Sequence, residues 1–229
     1  MKSGKTFGYL IQPTYHLPSS MRLSIALTLA VLILLVAPQS GNARQCANFN
    51  YDLRTQAAVN SFPSGCDSVG GDVTISGADI SDLSPLTALT SIQGSLIIKD
   101  NAALPTLRGL GNLKSITGGL DIHGNSNLVK LNYLIGLTSV QGYVYVYGNT
   151  VLTSIEGLSM LSSVGSGSAG GSLNVSSNAA LRNLNGLTNI RSVGSDIYIN
   201  NNPLITTLNG LTSLNSVGRD FNISDNASL

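Results

Sequence analysis

One asparagine recurs along this chain at a nearly fixed interval: Asn101, Asn125, Asn149, Asn178, Asn202 and Asn226. The spacings are 24, 24, 29, 24 and 24 residues, and the longer one holds a five-residue insert, SGSAG, at 166–170. A constant period of this size marks an array in which each unit buries its apolar face only against its neighbours. It excludes most ordinary single-core folds before composition is considered.

Written as rungs, the chain reads GSLIIKDNAALPTLRGLGNLKSIT (94–117), GGLDIHGNSNLVKLNYLIGLTSVQ (118–141) and GYVYVYGNTVLTSIEGLSMLSSVG (142–165). Related rungs run 71–93, 171–194 and 195–218, and a seventh begins at Arg219. Each rung has two apolar rhythms. An alternating pair such as Leu96/Ile98 or Val144/Val146 has the period of a strand. Then Leu104, Leu107, Leu110, Leu113 and Ile116 fall on every third position. An amphipathic helix would mix threes and fours. A strict three suits a chain turning corners around a core. The expected fold is mainly β: a solenoid of about six rungs with parallel strands, its leucine columns buried by stacking.

The 25 glycines include Gly94, Gly118, Gly142 and Gly171 at rung joins, where backbone conformations closed to other residues are expected. The recurring asparagine reads as structural. It can bond its own backbone, accept a left-handed turn, and form a ladder of amide bonds along the stack. Disorder is the rival for a chain rich in Ser, Gly and Asn, but regular apolar columns argue against it.

The pattern G-x-L-x-I-x-x-N-x-x-L-x-x-L-x-G-L-x-x-L-x-S-V, with the lead-in AAVNSFPSGCDSVGGDVTISG, resembles the receptor L-domain family over about residues 46–229. The resemblance implies a leucine-rich-repeat-like, right-handed parallel β-helix. Such domains occur in insulin and growth-factor receptor ectodomains, in fungal cell-wall proteins and in exported bacterial proteins. Two residues, not one, separate Asn125 from Leu128, which departs from the curved leucine-rich-repeat horseshoe. The resemblance implies a binding or structural role and carries over no ligand-contact motif.

The start of the chain reads as a targeting signal. Leu23–Ala37 is an uncharged apolar run of 15 residues, Arg22 precedes it, and small residues follow to Ala43. Residues 1–43 are therefore assigned to a secretory signal peptide, with Met21 an alternative true start. The rival, a retained anchor, would need roughly 20 apolar residues. Removing 1–43 leaves 9 basic and 11 acidic side chains, a net charge of −2. No basic patch remains to hold nucleic acid or an anionic membrane. The expected location is secreted or at the cell surface. There Cys46 and Cys66 would form one disulfide, closing a loop worth about 3 kcal/mol. Residues 44–70 would then cap the solenoid and 71–229 form the repeats. The seventh rung stops at Leu229 before its leucine columns are complete, so further rungs, an anchor, a sorting domain or a kinase are expected beyond it.

Three of the chain's eight tyrosines stand on alternate positions in GYVYVYGN, residues 142–149. With Val144 and Val146 inward, the strand period turns Tyr143, Tyr145 and Tyr147 outward. Aligned rungs place Tyr145 between Asp121 and Asn174, and Tyr147 beside His123. Asp121, His123, Tyr143, Tyr145, Tyr147 and Tyr198 form the candidate binding face, suited to an extracellular protein or glycan. The plainer reading is that tyrosine favours strands and packs on its outward neighbours. No acid, base and nucleophile converge, so no enzyme is expected and no catalytic residue, cofactor or metal ligand is assigned. Asp196 and Asp220 share a column but fall far short of a calcium cage. In a eukaryote, Asn174, Asn222 and Asn226 would be glycosylation acceptors, and a glycan at Asn174 would cover part of the face. The leading expectation is an exported, non-catalytic recognition module. The alternatives are a structural envelope or cell-wall spacer and the ectodomain fragment of a signalling receptor.

Overall fold

The alternating apolar pairs become one face of a continuous parallel sheet. A computed structural model describes Cys46, residues 49–168 and residues 170–229; the expected leader lies outside them. The first sheet stacks β1 (Tyr51–Leu53), β3 (Val73–Ile75), β5 (Leu96–Lys99), β7 (Leu120–His123), β9 (Val144–Tyr147), β11 (Leu173–Ser176), β13 (Ile197–Asn200) and β15 (Phe221–Ser224) in that order. The second stacks the short strands β2 (Ser68–Val69), β4 (Ser91–Ile92), β6 (Ser115–Ile116), β8 (Ser139–Val140), β10 (Ser163–Val164), β12 (Ser192–Val193) and β14 (Ser216–Val217). Neighbours in both sheets are parallel and one rung apart, as in Leu96↔Leu120 and Ser91↔Ser115. Such pairing requires every rung to travel once around the core, which defines a β-solenoid.

The third-position residues line the inside. Leu104, Leu107, Leu110, Leu113 and Ile116 are fully buried, as are their equivalents in the next rung, Leu128, Leu131, Leu134 and Leu137. Burying each contributes about 1.5–3 kcal/mol. Between them the chain turns through single 3-10 helical turns, Ser84–Leu86, Asn132–Leu134, Glu156–Leu158, Asn185–Leu187 and Asn209–Leu211. Corners with and without a 3-10 helix, those of rung 94–117 included, are closed by bonds between residues three apart, such as Leu110 N–H to the Leu107 carbonyl and Leu134 N–H to the Leu131 carbonyl. This sets the strict period of three.

The segment 44–70 supplies the first strand of each sheet, β1 and β2, with a short helix α1 (Gln56–Asn60) between them. Cys46 and Cys66 are disulfide-bonded with Cα atoms 5.4 Å apart, and the Cys46 N–H donates to the Ser68 carbonyl at 3.0 Å.

The six asparagines form a continuous hydrogen-bonded column inside the turn after each long strand. Asn101, Asn125, Asn149, Asn178 and Asn202 are completely buried. Each main-chain N–H donates to the side-chain oxygen one rung on: Asn101 to Asn125 at 3.2 Å, Asn125 to Asn149 at 3.1 Å, Asn149 to Asn178 at 3.1 Å, and so on to Asn226. Each Nδ2 also reaches back one rung, as Asn149 does to the Ile122 carbonyl at 2.9 Å. One side chain thus ties three rungs together.

Two expectations about backbone conformation are corrected. The left-handed residue is not the asparagine but its predecessor: Asp100, Ser177, Asn201 and Asp225 have φ of 55–56°, and Gly124 and Gly148 have 66° and 64°. The asparagine's place is set by its bonds, so the turn falls one residue earlier. The join glycines Gly94, Gly118, Gly142 and Gly171 are not among the positive-φ residues. They are needed for closeness: a Cβ on Gly142 would lie 2.8 Å from the Gly118 carbonyl carbon. The left-handed column permits a simple improvement. Ser177→Gly should raise stability by about 1 kcal/mol, because a left-handed serine is strained and glycine is not. A higher urea midpoint with unchanged slope would show it; no change would mean that the strain is no larger than the extra chain entropy glycine gives the unfolded state.

Candidate binding face

The outward residues of β7, β9, β11 and β13 form one surface because the parallel register is exact to the residue. Asp121 pairs with Tyr145, His123 with Tyr147, Tyr145 with Asn174, and Asn174 with Tyr198. Stacked strands lie about 4.8 Å apart, so paired outward side chains touch. The His123 and Tyr147 rings stack face to face, with centroids 4.5 Å apart and planes 10° from parallel. Tyr143 and Tyr145 lie 4.4 Å apart at 30°. Tyr198 belongs to the same column but stands beyond Asn174, two strands from Tyr145.

Asp121 Oδ1 lies 2.8 Å from His123 Nδ1. A carboxylate only accepts, so the proton of that bond belongs to Nδ1, and in the neutral ring Nε2 is an acceptor. Burial pushes the Tyr145 phenol above its ordinary value, and Tyr143 adds to the shift. Burial does the same to Tyr147, helped by the Asp121 charge. Both phenols therefore remain neutral hydroxyl donors across the physiological range.

Gly119 completes the arrangement. The outward column at this height holds Ser95 before it and Tyr143 after it. Built on Gly119, a Cβ would fall on the Tyr143 ring. The ring lies over the bare glycine backbone, which holds it beside Tyr145. The only sequence sign of this is a missing side chain one rung before an aromatic one.

The remaining sequence candidates are placed elsewhere. Asn174 accepts the Ser176 hydroxyl at 2.6 Å, beside Tyr145 in the face. Asn222 lies in β15, and Asn226 donates to the Ile199 carbonyl at 2.7 Å as the last step of the asparagine column. Asp196 is occupied by protein partners: its Oδ1 accepts the Asp220 N–H at 3.1 Å, and its Oδ2 accepts the Ser195 hydroxyl at 3.0 Å. Among the described residues no cluster of three metal-ligating side chains occurs. Among them, too, no helix is long and apolar enough to cross a membrane.

Chemically, the face offers flat ring surface bordered by hydroxyls, a carboxylate, an amide and an imidazole nitrogen. It can hold an apolar sugar face or a peptide side chain while hydrogen-bonding the edges. Neither the curated proteins nor the solved structures yield a match to this chain. Residues 65–133 and 114–216 do match the family model described as Receptor L domain. These overlapping segments run from the end of the disulfide loop through the asparagine column and the aromatic face. The chain belongs to the receptor L domain family, a family of non-catalytic ligand-binding domains.

Proposed function

We propose that this protein is an exported recognition module that binds a protein or glycan at the cell surface through the outward face of β7, β9, β11 and β13. The observation supporting this reading is the stacking of His123 on Tyr147 beside the tilted, closely packed pair Tyr143 and Tyr145, bordered by Asp121 and Asn174. A solenoid needs no such cluster for its own stability, since its core lies on the other side of the sheet. The disulfide accords with an oxidising compartment.

A glycan array and a surface-protein pull-down test this with residues 44–229, comparing wild type, Tyr145→Ser/Tyr147→Ser and Gly119→Ser. The double variant should bind roughly ten-fold or more weakly with its fold intact by circular dichroism. Gly119→Ser should weaken binding through Tyr143 alone. Equal binding by all three would move the site elsewhere. Silence from all three would favour the second reading, a rigid envelope or wall spacer. That reading has its own support, because the tyrosines are half-buried and pack on one another. If the source is a eukaryote, a glycan on Asn174 would screen Tyr145 and count against the face.

A further inference from the structure

Beyond the strand face, the 3-10 turns carry a second irregularity. Their middle residue is Gly157, Gly186 or Gly210 in three rungs, and a Cβ there would strike the carbonyl oxygen of Leu131, Ile155 or Leu184 in the rung before. The rung of residues 94–117 has no 3-10 turn at this height; Gly109 stands there at φ 113°. The next rung places Tyr133 in the glycine position. A side chain with a Cβ cannot make the close approach its glycine counterparts make, and Tyr133 stands partly exposed at the surface instead.

Beside it lies a half-open cavity of about 250 Å³ lined by Pro105, Thr106, Val129, Lys130, Asn132 and Tyr133. Across Asn132 a second cavity of about 230 Å³ is lined also by Ile135, Glu156 and Gly157. Each is small for a cofactor or drug-sized ligand and suited to one inserted side chain. Among their lining residues Val129 and Tyr133 are 41% exposed and Ile135 51%. Exposed apolar side chains grouped in this way mark interaction sites.

Charge indicates what fills them. Three of the nine cations that follow residue 43, Arg108, Lys114 and Lys130, fall on the turns of these two rungs. Lys130 lines the larger cavity, and the Lys114 ammonium reaches Gly136. Arg108 interacts with Asp82 of the rung before it, and Glu156 lines the farther cavity, which leaves Lys130 as the charge beside the larger one. Lys130 is the one charged side chain among the residues lining the larger cavity, which are otherwise neutral, and its ammonium favours an acidic partner. We propose that this turn-side surface binds an acidic peptide segment that inserts one apolar side chain beside Tyr133, its carboxylates facing Lys130 and Lys114. It is a second site, independent of the strand face.

The test begins with a random peptide display library selected on the purified protein. Affinities of the enriched peptides are then measured by fluorescence polarisation on wild type, Tyr133→Gly, Lys130→Glu and Tyr145→Ser/Tyr147→Ser. Tyr133→Gly restores the residue usual at this position. The expected peptides combine acidic residues with an apolar one. They should bind Tyr133→Gly and Lys130→Glu at least ten-fold more weakly, bind the strand-face variant unchanged, and weaken as salt rises. Lys130→Glu changes only an exposed side chain and decides the matter if Tyr133→Gly misfolds. The proposal is overturned if no peptide enriches, if the peptides are neutral or basic, or if Lys130→Glu binds as wild type. Self-association of wild type that Tyr133→Gly abolishes would also overturn it, by making the surface a contact between copies.

Discussion

Asn149→Ala should lower the stability of the solenoid by about 4 kcal/mol. Asn149 accepts from the Asn125 N–H and from Asn125 Nδ2, both at 3.1 Å, and donates to the Ile122 and Tyr147 carbonyls at 2.9 and 3.1 Å. Alanine removes these four bonds and a longer one from Nδ2 to Asn178 Oδ1 at 3.4 Å, and it leaves the buried partners without a replacement. An unsatisfied buried group costs about 1–3 kcal/mol, so the Asn125 N–H and the Ile122 carbonyl alone account for most of the figure. The total exceeds a simple sum if bonds along the column polarise one another. Equilibrium urea unfolding measures it. Asn226→Ala in residues 44–229 is the control: the side chain is only partly buried there, and its loss should cost about 1 kcal/mol. Equal, small losses at both positions would mean that the column adds little beyond leucine packing.

Gly157→Ala should be nearly as damaging, by about 3 kcal/mol, for the opposite reason. Nothing is removed; a methyl group is added where the Leu131 carbonyl already stands. That oxygen belongs to the backbone of a fully buried residue and cannot swing aside as a side chain can. Overpacking of this kind costs about 1–3 kcal/mol, and a rigid obstacle puts the value at the upper end. Gly111→Ala, which would meet nothing nearer than 4.0 Å, is the matched control and should be close to neutral. If both variants melt alike, the rungs at this corner are softer than their packing indicates.

Most of the architecture was legible because a repeat prints each structural requirement several times over. The alternating pairs, the columns of three and the asparagine interval each came from one demand, that successive rungs superpose. The register that sets Tyr145 against Asp121 and Asn174 followed from alignment alone, since a parallel solenoid pairs residues one period apart. Single-copy features were harder to read. Gly119 sits in a column of mixed residues and Tyr133 in one that is mostly glycine, and each acquires meaning only when it is known what its neighbours touch. The left-handed position was misplaced for a related reason. Asp, Gly, Ser and Asn all occur there, and no single letter recurs to mark it.

The asparagine column also has a direction. Every main-chain N–H in it points toward the later rung, and every acceptor oxygen faces the earlier one. A rung added after its neighbour meets one waiting main-chain donor of the column and supplies the acceptor that quenches it. In doing so it exposes a fresh donor of its own. Growth in the other direction would meet a waiting acceptor instead, so the two faces of any rung are chemically distinct. The amide column thereby gives an otherwise uniform stack a built-in arrow, running in the order in which a ribosome delivers the chain.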